Sequence, residues 1–198
     1  MAAGARRLIV GISAASGAVY GVRLLRALQG SDIETHLVVS KTTALTIASE
    51  TDTTIDAVKA LASVVHQPGD LGASIASGSF RTIGMVVAPC SIRTMSAIAS
   101  GVTDTLISRA ADVVLKERRR LVLLVRETPL HLGHLRTMTA LTEMGAVVMP
   151  PVPAFYARPQ TVDDIVDQTV ARALDLFDID VGLLKRWRGL AEGIEDNA

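Results

Sequence analysis

Five short runs of β-branched and aliphatic residues, each followed by a stretch of helical periodicity, constrain this chain more than any other feature. They are Arg7–Ser13 (RLIVGIS), Thr35–Ser40 (THLVVS), Thr82–Cys90 (TIGMVVAPC), Leu121–Val125 (LVLLV) and Ala146–Met149 (AVVM). Continuous apolar runs, as opposed to alternating ones, mark strands covered on both faces, the condition of a parallel sheet. Between and after them, helices are predicted over Gly17–Leu28, Lys41–Ser49, Thr53–Ala62, Arg93–Ser100, Thr105–Arg119, His131–Met144 and Val162–Phe177. The last has the clearest i, i+3, i+4, i+7 stripe, in Val162, Ile165, Val166, Thr169, Val170, Ala173, Leu174 and Phe177. Gly30, Gly101 and Gly145 stand where helices should stop. The stretch His66–Phe80, punctuated by Pro68-Gly69-Asp70 and Ser77-Gly78-Ser79, reads as a surface loop or lid. Strand and helix in alternation predict βαβ units. The expected fold is a doubly wound, mostly parallel α/β sheet, a Rossmann or flavodoxin-like three-layer sandwich.

At 198 residues and 49% apolar content the chain can bury a core, which excludes intrinsic disorder. One domain over residues 1–198 is expected, with a short tail from about residue 178 and an acidic, frayed Glu192–Ala198 end. Twenty basic side chains balance twenty acidic ones, so the electrostatic footprint of a nucleic-acid binder is missing. No uncharged apolar run approaches the ~20 residues of a membrane span. The start, MAAGARRLIVGIS, imitates a signal peptide faintly, but its apolar part is short and β-branched and reads as the first core strand. A single cysteine, Cys90, excludes internal disulfides and points to a reducing, cytoplasmic setting. An apolar chain of zero net charge suggests surface covered by further subunits.

Ligands of such sheets bind beyond the carboxyl ends of the strands. Those ends carry Ser13 to Gly17, Ser40 and Lys41, Cys90 to Thr94, Arg126 and Glu127, and the Pro150–Pro159 loop with Tyr156. Hydroxyls, small residues and cations at helix starts suit a phosphate-bearing ligand, and several converging ends favour a mononucleotide. The first turn, S-A-A-S-G-A, is neither a G-x-G-x-x-G nor a G-x-x-x-x-G-K-[ST] loop. Ser16 reads either as a plain helix N-cap or as a ligand contact, and Ser91 and Thr94 share that ambiguity. Arg109, Asp112 and Lys116 share one helix flank, for which a solvated ion pair is the simpler reading. Arg118–Arg120 reads as a solvated helix end, and Arg172 as a snorkelling arginine or a phosphate contact. His131 and His134 read as cap or core residues; no metal set accompanies them. Cys90 reads as a small buried residue. Glu50 is either a surface acid or a general acid/base.

Taken together, V-G-I-S-A-A-S-G-A-V-Y-G, S-E-T-D, A-P-C-S-I-R-T-M-S-A-I, R-A-A-D-V-V-L-K-E-R-R, L-V-R-E-T-P-L-H-L-G-H-L and M-P-P-V-P-A-F-Y-A-R-P-Q resemble the UbiX-type flavin prenyltransferase family, from about Arg7 to Trp187. The resemblance implies a metal-independent transferase. It joins the dimethylallyl group of dimethylallyl monophosphate to N5 and C6 of reduced FMN and releases phosphate. It also implies a homo-oligomer, typically a dodecamer, and a UbiD-type decarboxylase that receives the prenylated FMN. By motif, Ala14, Ala15, Ser16, Ser40, Ser91, Ile92, Arg93, Thr94 and Arg126 are implied to hold FMN. Tyr156 and Arg172 are implied to bind the donor, with Arg109, Lys116 and Glu127 completing its phosphate pocket. Ser16, Glu50, Lys116 and Glu127 are the implied catalytic set, Glu50 handling a proton near N5. A flavin-dependent aromatic-acid decarboxylase, or a non-catalytic flavin-binding partner of one, is the alternative. Ala14 stands where the family commonly has glycine, at an expected cost of about 1–2 kcal/mol if that position needs positive φ.

Overall fold

The computed structural model describes residues 6–187 and residue 189. The first five residues, Arg188 and the Glu192–Ala198 end lie outside the described residues. Among the described residues, six strands form one parallel sheet: β1 (Arg6–Ile12), β2 (Ile33–Val39), β3 (Val64–His66), β4 (Gly84–Cys90), β5 (Arg120–Val125) and β6 (Val147–Val148). Their order across the sheet is β3-β2-β1-β4-β5-β6, and each neighbouring pair is parallel.

Both faces of that sheet are covered, as its uninterrupted apolar strands require. Leu8, Val10 and Ile12 of β1 face a layer to which α1 (Ala18–Leu28), α2 (Thr43–Glu50), α3 (Ile55–Lys59) and α7 (Val162–Asp175) contribute. Ile9, with Met85 and Val87 of β4, faces the layer of α4 (Ile92–Ala99), α5 (Leu106–Lys116) and α6 (Leu132–Glu143). The three-layer arrangement follows from this alternation along each strand.

The edge strand β3 corrects the five-strand reading. It has three residues, paired with His36, Leu37 and Val38, too few to show a hydrophobic period. Its register is held by polar contacts. Ser63 N–H donates to Thr35 Oγ1 at 2.9 Å, and Thr35 N–H donates to Ser63 Oγ at 3.1 Å. His36 Nδ1 and His66 Nε2 lie 2.9 Å apart, while His36 Nε2 and Glu34 Oε1 are also 2.9 Å apart. The helix expected over Thr53–Ala62 is correspondingly confined to Ile55–Lys59. The stretch after β3 is also more than a surface loop. Ala73, Ile75 and Ala76 around a 3-10 turn are buried in the α4/α5 layer, but their polar neighbours hide that in sequence.

The strand order reverses between β1 and β4, which opens the ligand crevice of this class of sheet at their carboxyl ends. Ser13 staples that point. Its Oγ accepts the Ser91 N–H at 2.8 Å and donates to the Pro89 carbonyl at 2.9 Å. Gly21 lets α1 lie directly on β4, since a Cβ there would stand 2.3 Å from the Ala88 carbonyl oxygen.

Candidate active site

The chain enters α1 through Gly17, whose φ of 98° is a left-handed value that glycine adopts without Cβ strain. Ser16 does not cap this helix, which corrects the simpler reading of it. The Gly17 and Ala18 N–H groups donate instead to Glu50 Oε2, at 2.7 and 3.1 Å. The capping anion therefore comes from the last residue of α2. Burial alone would disfavour a charged Glu50. It is outweighed by the Gly17 N–H, the Ser16 hydroxyl, the Ala18 N–H and the Arg126 guanidinium, which hold the carboxyl below its usual range. Arg126 reaches this cluster from the end of β5, where its N–H donates to the Cys90 carbonyl at 3.1 Å. Half-buried Tyr20 completes it: burial pushes the phenol up, against the opposing pull of Arg126.

The neighbouring helix starts add hydroxyls to the same rim. Ser91 caps α4, its Oγ accepting the Thr94 N–H at 3.3 Å and donating to Thr94 Oγ1 at 3.1 Å. Ser40 N–H donates to the Ile12 carbonyl at 2.9 Å, and the Ser40 and Thr43 hydroxyls are 2.7 Å apart. Ala14, Ala15 and Ile92 are half-buried beside them. Ala14 is not among the residues of positive φ, so it carries none of the backbone penalty feared from the missing glycine. Arg93 is exposed and pairs with Asp104 at 3.5 Å; Glu127 is exposed, accepting the Thr128 N–H at 3.0 Å.

The remaining expected residues lie elsewhere in the chain. Arg109 pairs with Asp112 at 2.7 Å on the flank of α5, as the spacing predicts. Lys116, however, pairs with Glu117 over Gly78. This is the amino end of the sheet: Arg119 donates to the Gly78 and Phe80 carbonyls at 2.7 and 2.8 Å, and Arg7 of β1 lies over the Phe80 ring. Arg119 is thus an anchor, not part of a solvated helix end. β1 alone separates Lys116 from Ser16 by ~20 Å. Arg172 pairs with Asp175 at 2.6 Å near the end of α7, on the opposite face of the sheet. Tyr156 lies in a 3-10 turn over the middle of α7, its hydroxyl 3.2 Å from Gln168 Nε2. One copy of the chain assembles the rim and does not bring Lys116 and Arg172 to it.

Other readings settle simply. Cys90 is fully buried, which pushes its thiol up to about 12 and makes it unreactive. His131 caps α6, its Nδ1 accepting the Gly133 and His134 N–H groups. Among the described residues, no group of three or more His, Cys, Asp or Glu is placed to hold a metal, and no helix is long and apolar enough to cross a membrane.

Residues 2–174 match the Flavoprotein family model. The chain is 60% identical over 186 residues to the flavin prenyltransferase UbiX of Thauera aromatica, covering 94% of this chain and 96% of that one. It is 62% identical over 187 residues to the flavin prenyltransferase UbiX of Escherichia coli K12, covering 93% and 99%. This chain belongs to the UbiX flavin prenyltransferases. Its fold superimposes on that of AnUbiX (PadA1), crystallised with FMN and dimethylallyl pyrophosphate, with TM-score 0.91, 53% identity and coverage of 93% and 98%. A dodecameric FMN-dependent UbiX-like decarboxylase from Escherichia coli O157:H7 gives TM-score 0.90 and 52% identity over 92% of this chain and all of that one. The sequence of this UbiX-type chain places the helix entry at Gly17 but does not show Tyr20 against Arg126 or Gln168 under Tyr156, both of which depend on contacts between separate segments.

Proposed function

We propose that this chain, as a single flavoprotein domain, transfers the dimethylallyl group of dimethylallyl monophosphate to N5 and C6 of reduced FMN. The allylic C–O bond breaks, inorganic phosphate leaves, and a UbiD-type decarboxylase receives the prenylated flavin. The observation that carries this reading is the rim itself. Ser16, Glu50 and Arg126 are joined in one cluster, flanked by the Ser40 and Ser91 hydroxyls and the small Ala14 and Ala15. That donor set fits a phosphate-bearing flavin: hydroxyls and a cation for the anion, small side chains beside a flat ring. Reduced FMN supplies the nucleophilic nitrogen and carbon of the reaction.

The residues then divide by charge. Ser16, Ser40, Ser91 to Thr94 and Arg126 hold the flavin. Glu50, kept ionised by the start of α1, accepts or returns a proton near N5. Arg109, Lys116 and Arg172, with Glu127 and Tyr156, bind the donor phosphate, and the cations stabilise it as negative charge develops on leaving. Holding both reactants turns a two-body encounter into a positioned reaction. Because one copy keeps Lys116 and Arg172 away from its own rim, the donor pocket is completed by neighbouring copies in a dodecamer.

The test is anaerobic incubation of the purified protein with reduced FMN and either dimethylallyl monophosphate or pyrophosphate. The expected product is a flavin heavier by one C5H8 unit, formed faster from the monophosphate. Unmodified FMN at saturating donor defeats the reading, and carbon dioxide released from an aromatic acid by this protein alone supports a decarboxylase instead.

A further inference from the structure

The C-terminal strap, the turn carrying Tyr156 and α7 meet at one buried amide. Gln168, in the second turn of α7, is only 6% exposed, and every polar atom of its side chain is engaged. Oε1 accepts the Lys185 N–H at 2.9 Å. Nε2 donates to the Lys185 carbonyl at 2.9 Å and to the Tyr156 hydroxyl oxygen at 3.2 Å. The pair of bonds to Lys185 copies the exchange between two strand residues, so the strap is gripped through its backbone. The Lys185 ammonium continues to the Ala157 carbonyl at 3.2 Å. The Trp187 ring stands edge-on to the Tyr156 ring, with centroids 5.8 Å apart.

The direction of the bond to Tyr156 matters chemically. Nε2 is a donor only, so it occupies a lone pair of the phenol oxygen and leaves the phenol proton free. Tyr156 is 49% exposed, and that proton is available to an incoming anion. We propose that Gln168 is a positioning residue. It pins the strap at Lys185 and holds Tyr156 with its O–H free to donate to a phosphate oxygen of the isoprenoid donor. The proposal rests on the reading of Tyr156 as a donor-binding residue.

The test compares Gln168→Met, Gln168→Glu and Tyr156→Phe. It reads donor KM with dimethylallyl monophosphate, kcat, reduced-FMN affinity and acrylamide quenching of Trp187, the single tryptophan of the chain. Gln168→Met should raise donor KM about tenfold with flavin affinity within about twofold, and should increase Trp187 quenching. Gln168→Glu should raise KM further, because a carboxylate accepts the phenol proton that the donor needs. Should Gln168→Met fail to fold, Lys185→Pro removes the gripped N–H from the strap without touching the core, and should give the same KM and quenching changes. Freed Trp187 with an unchanged donor KM overturns the proposal. If Tyr156→Phe raises donor KM while the Gln168 and Lys185 variants do not, the positioning role alone falls. If Tyr156→Phe leaves donor KM unchanged, the donor-binding reading of Tyr156 falls and takes this inference with it.

Discussion

Glu50 and Ser13 at the carboxyl end of the sheet are held differently from Lys116 and Arg172, although Arg119 at the amino end is itself anchored over long range, to the Gly78 and Phe80 carbonyls. At the carboxyl end, Glu50 is bonded to Gly17, 33 positions away, and Ser13 to Ser91, 78 positions away. At the amino end and along α7, Lys116 is paired with the very next residue and Arg172 with one three positions on. Long-range partners can be set only by the completed fold, so the rim is fixed once the sheet forms. Short-range surface pairs are worth ~0–1 kcal/mol. A cation so held gives up little when it exchanges its carboxylate for another anion. Under the proposed function, the rim is one half of the site and these cations complete it from a neighbouring copy.

Subunit mixing tests that contrast most severely. Arg126→Ala and Lys116→Ala should each lower turnover by about 10²-fold. Oligomers reassembled from both variants should regain activity well above either parent, because some pockets then combine an intact rim with an intact lysine. No recovery in verified mixed oligomers would place both residues in one copy's pocket and break the comparison.

Gly21→Ala addresses how the rim is held up. Its Cβ would meet the Ala88 carbonyl at 2.3 Å and the Ile12 side chain at 2.8 Å, so α1 must lift from β4. A loss of about 3 kcal/mol is expected in denaturant unfolding, with weakened FMN binding. Unchanged flavin affinity in the folded variant would uncouple the rim from the seat of α1.

Glu50→Gln should remove about 1 kcal/mol or less at neutral pH, since the group is solvent-screened. The folded state lowers this carboxyl from 4.5. Its contribution is therefore complete above that value and disappears as pH falls through the lower folded value. Ser16→Ala, which removes no backbone cap, should change stability by less than about 0.5 kcal/mol while slowing turnover. A larger loss of stability would return Ser16 to a structural role.

The smallest effect belongs to the β3 edge, where His36 links His66 to the Phe80 ring. Burial lowers His66 from 6.5, the charge of His36 lowers it further, and Asp70 opposes. A base lowered on folding leaves stability intact above its unfolded value, and stability declines as pH falls from there toward the folded value. The melting temperature should drop modestly over that window, and His66→Gln should flatten the slope.

How much of this was legible in sequence depended on the range of the interaction. LVLLV and RLIVGIS announce core strands because burial on both faces leaves a continuous apolar record. The Arg109–Asp112 pair was legible from helical spacing, being local. β3 was not, because hydroxyl and imidazole contacts fix its register. Nor was the Glu50 cap, since nothing within α2 reveals that its last carboxylate reaches the next helix. The scattering of Lys116 and Arg172 was hidden for a related reason. Motifs identify which residues serve a pocket but not how many chains are needed to close it.

A carboxylate seated at the start of α1 has one more consequence. In many nucleotide-binding folds the first crossover offers its bare amides to the ligand's phosphate. Here two of those amides are already answered from within the polypeptide. An anion brought to the rim therefore meets Arg126 and the serines that open the second and fourth crossovers in place of those two amides, so the first crossover, in satisfying its own dipole, hands that task to its neighbours.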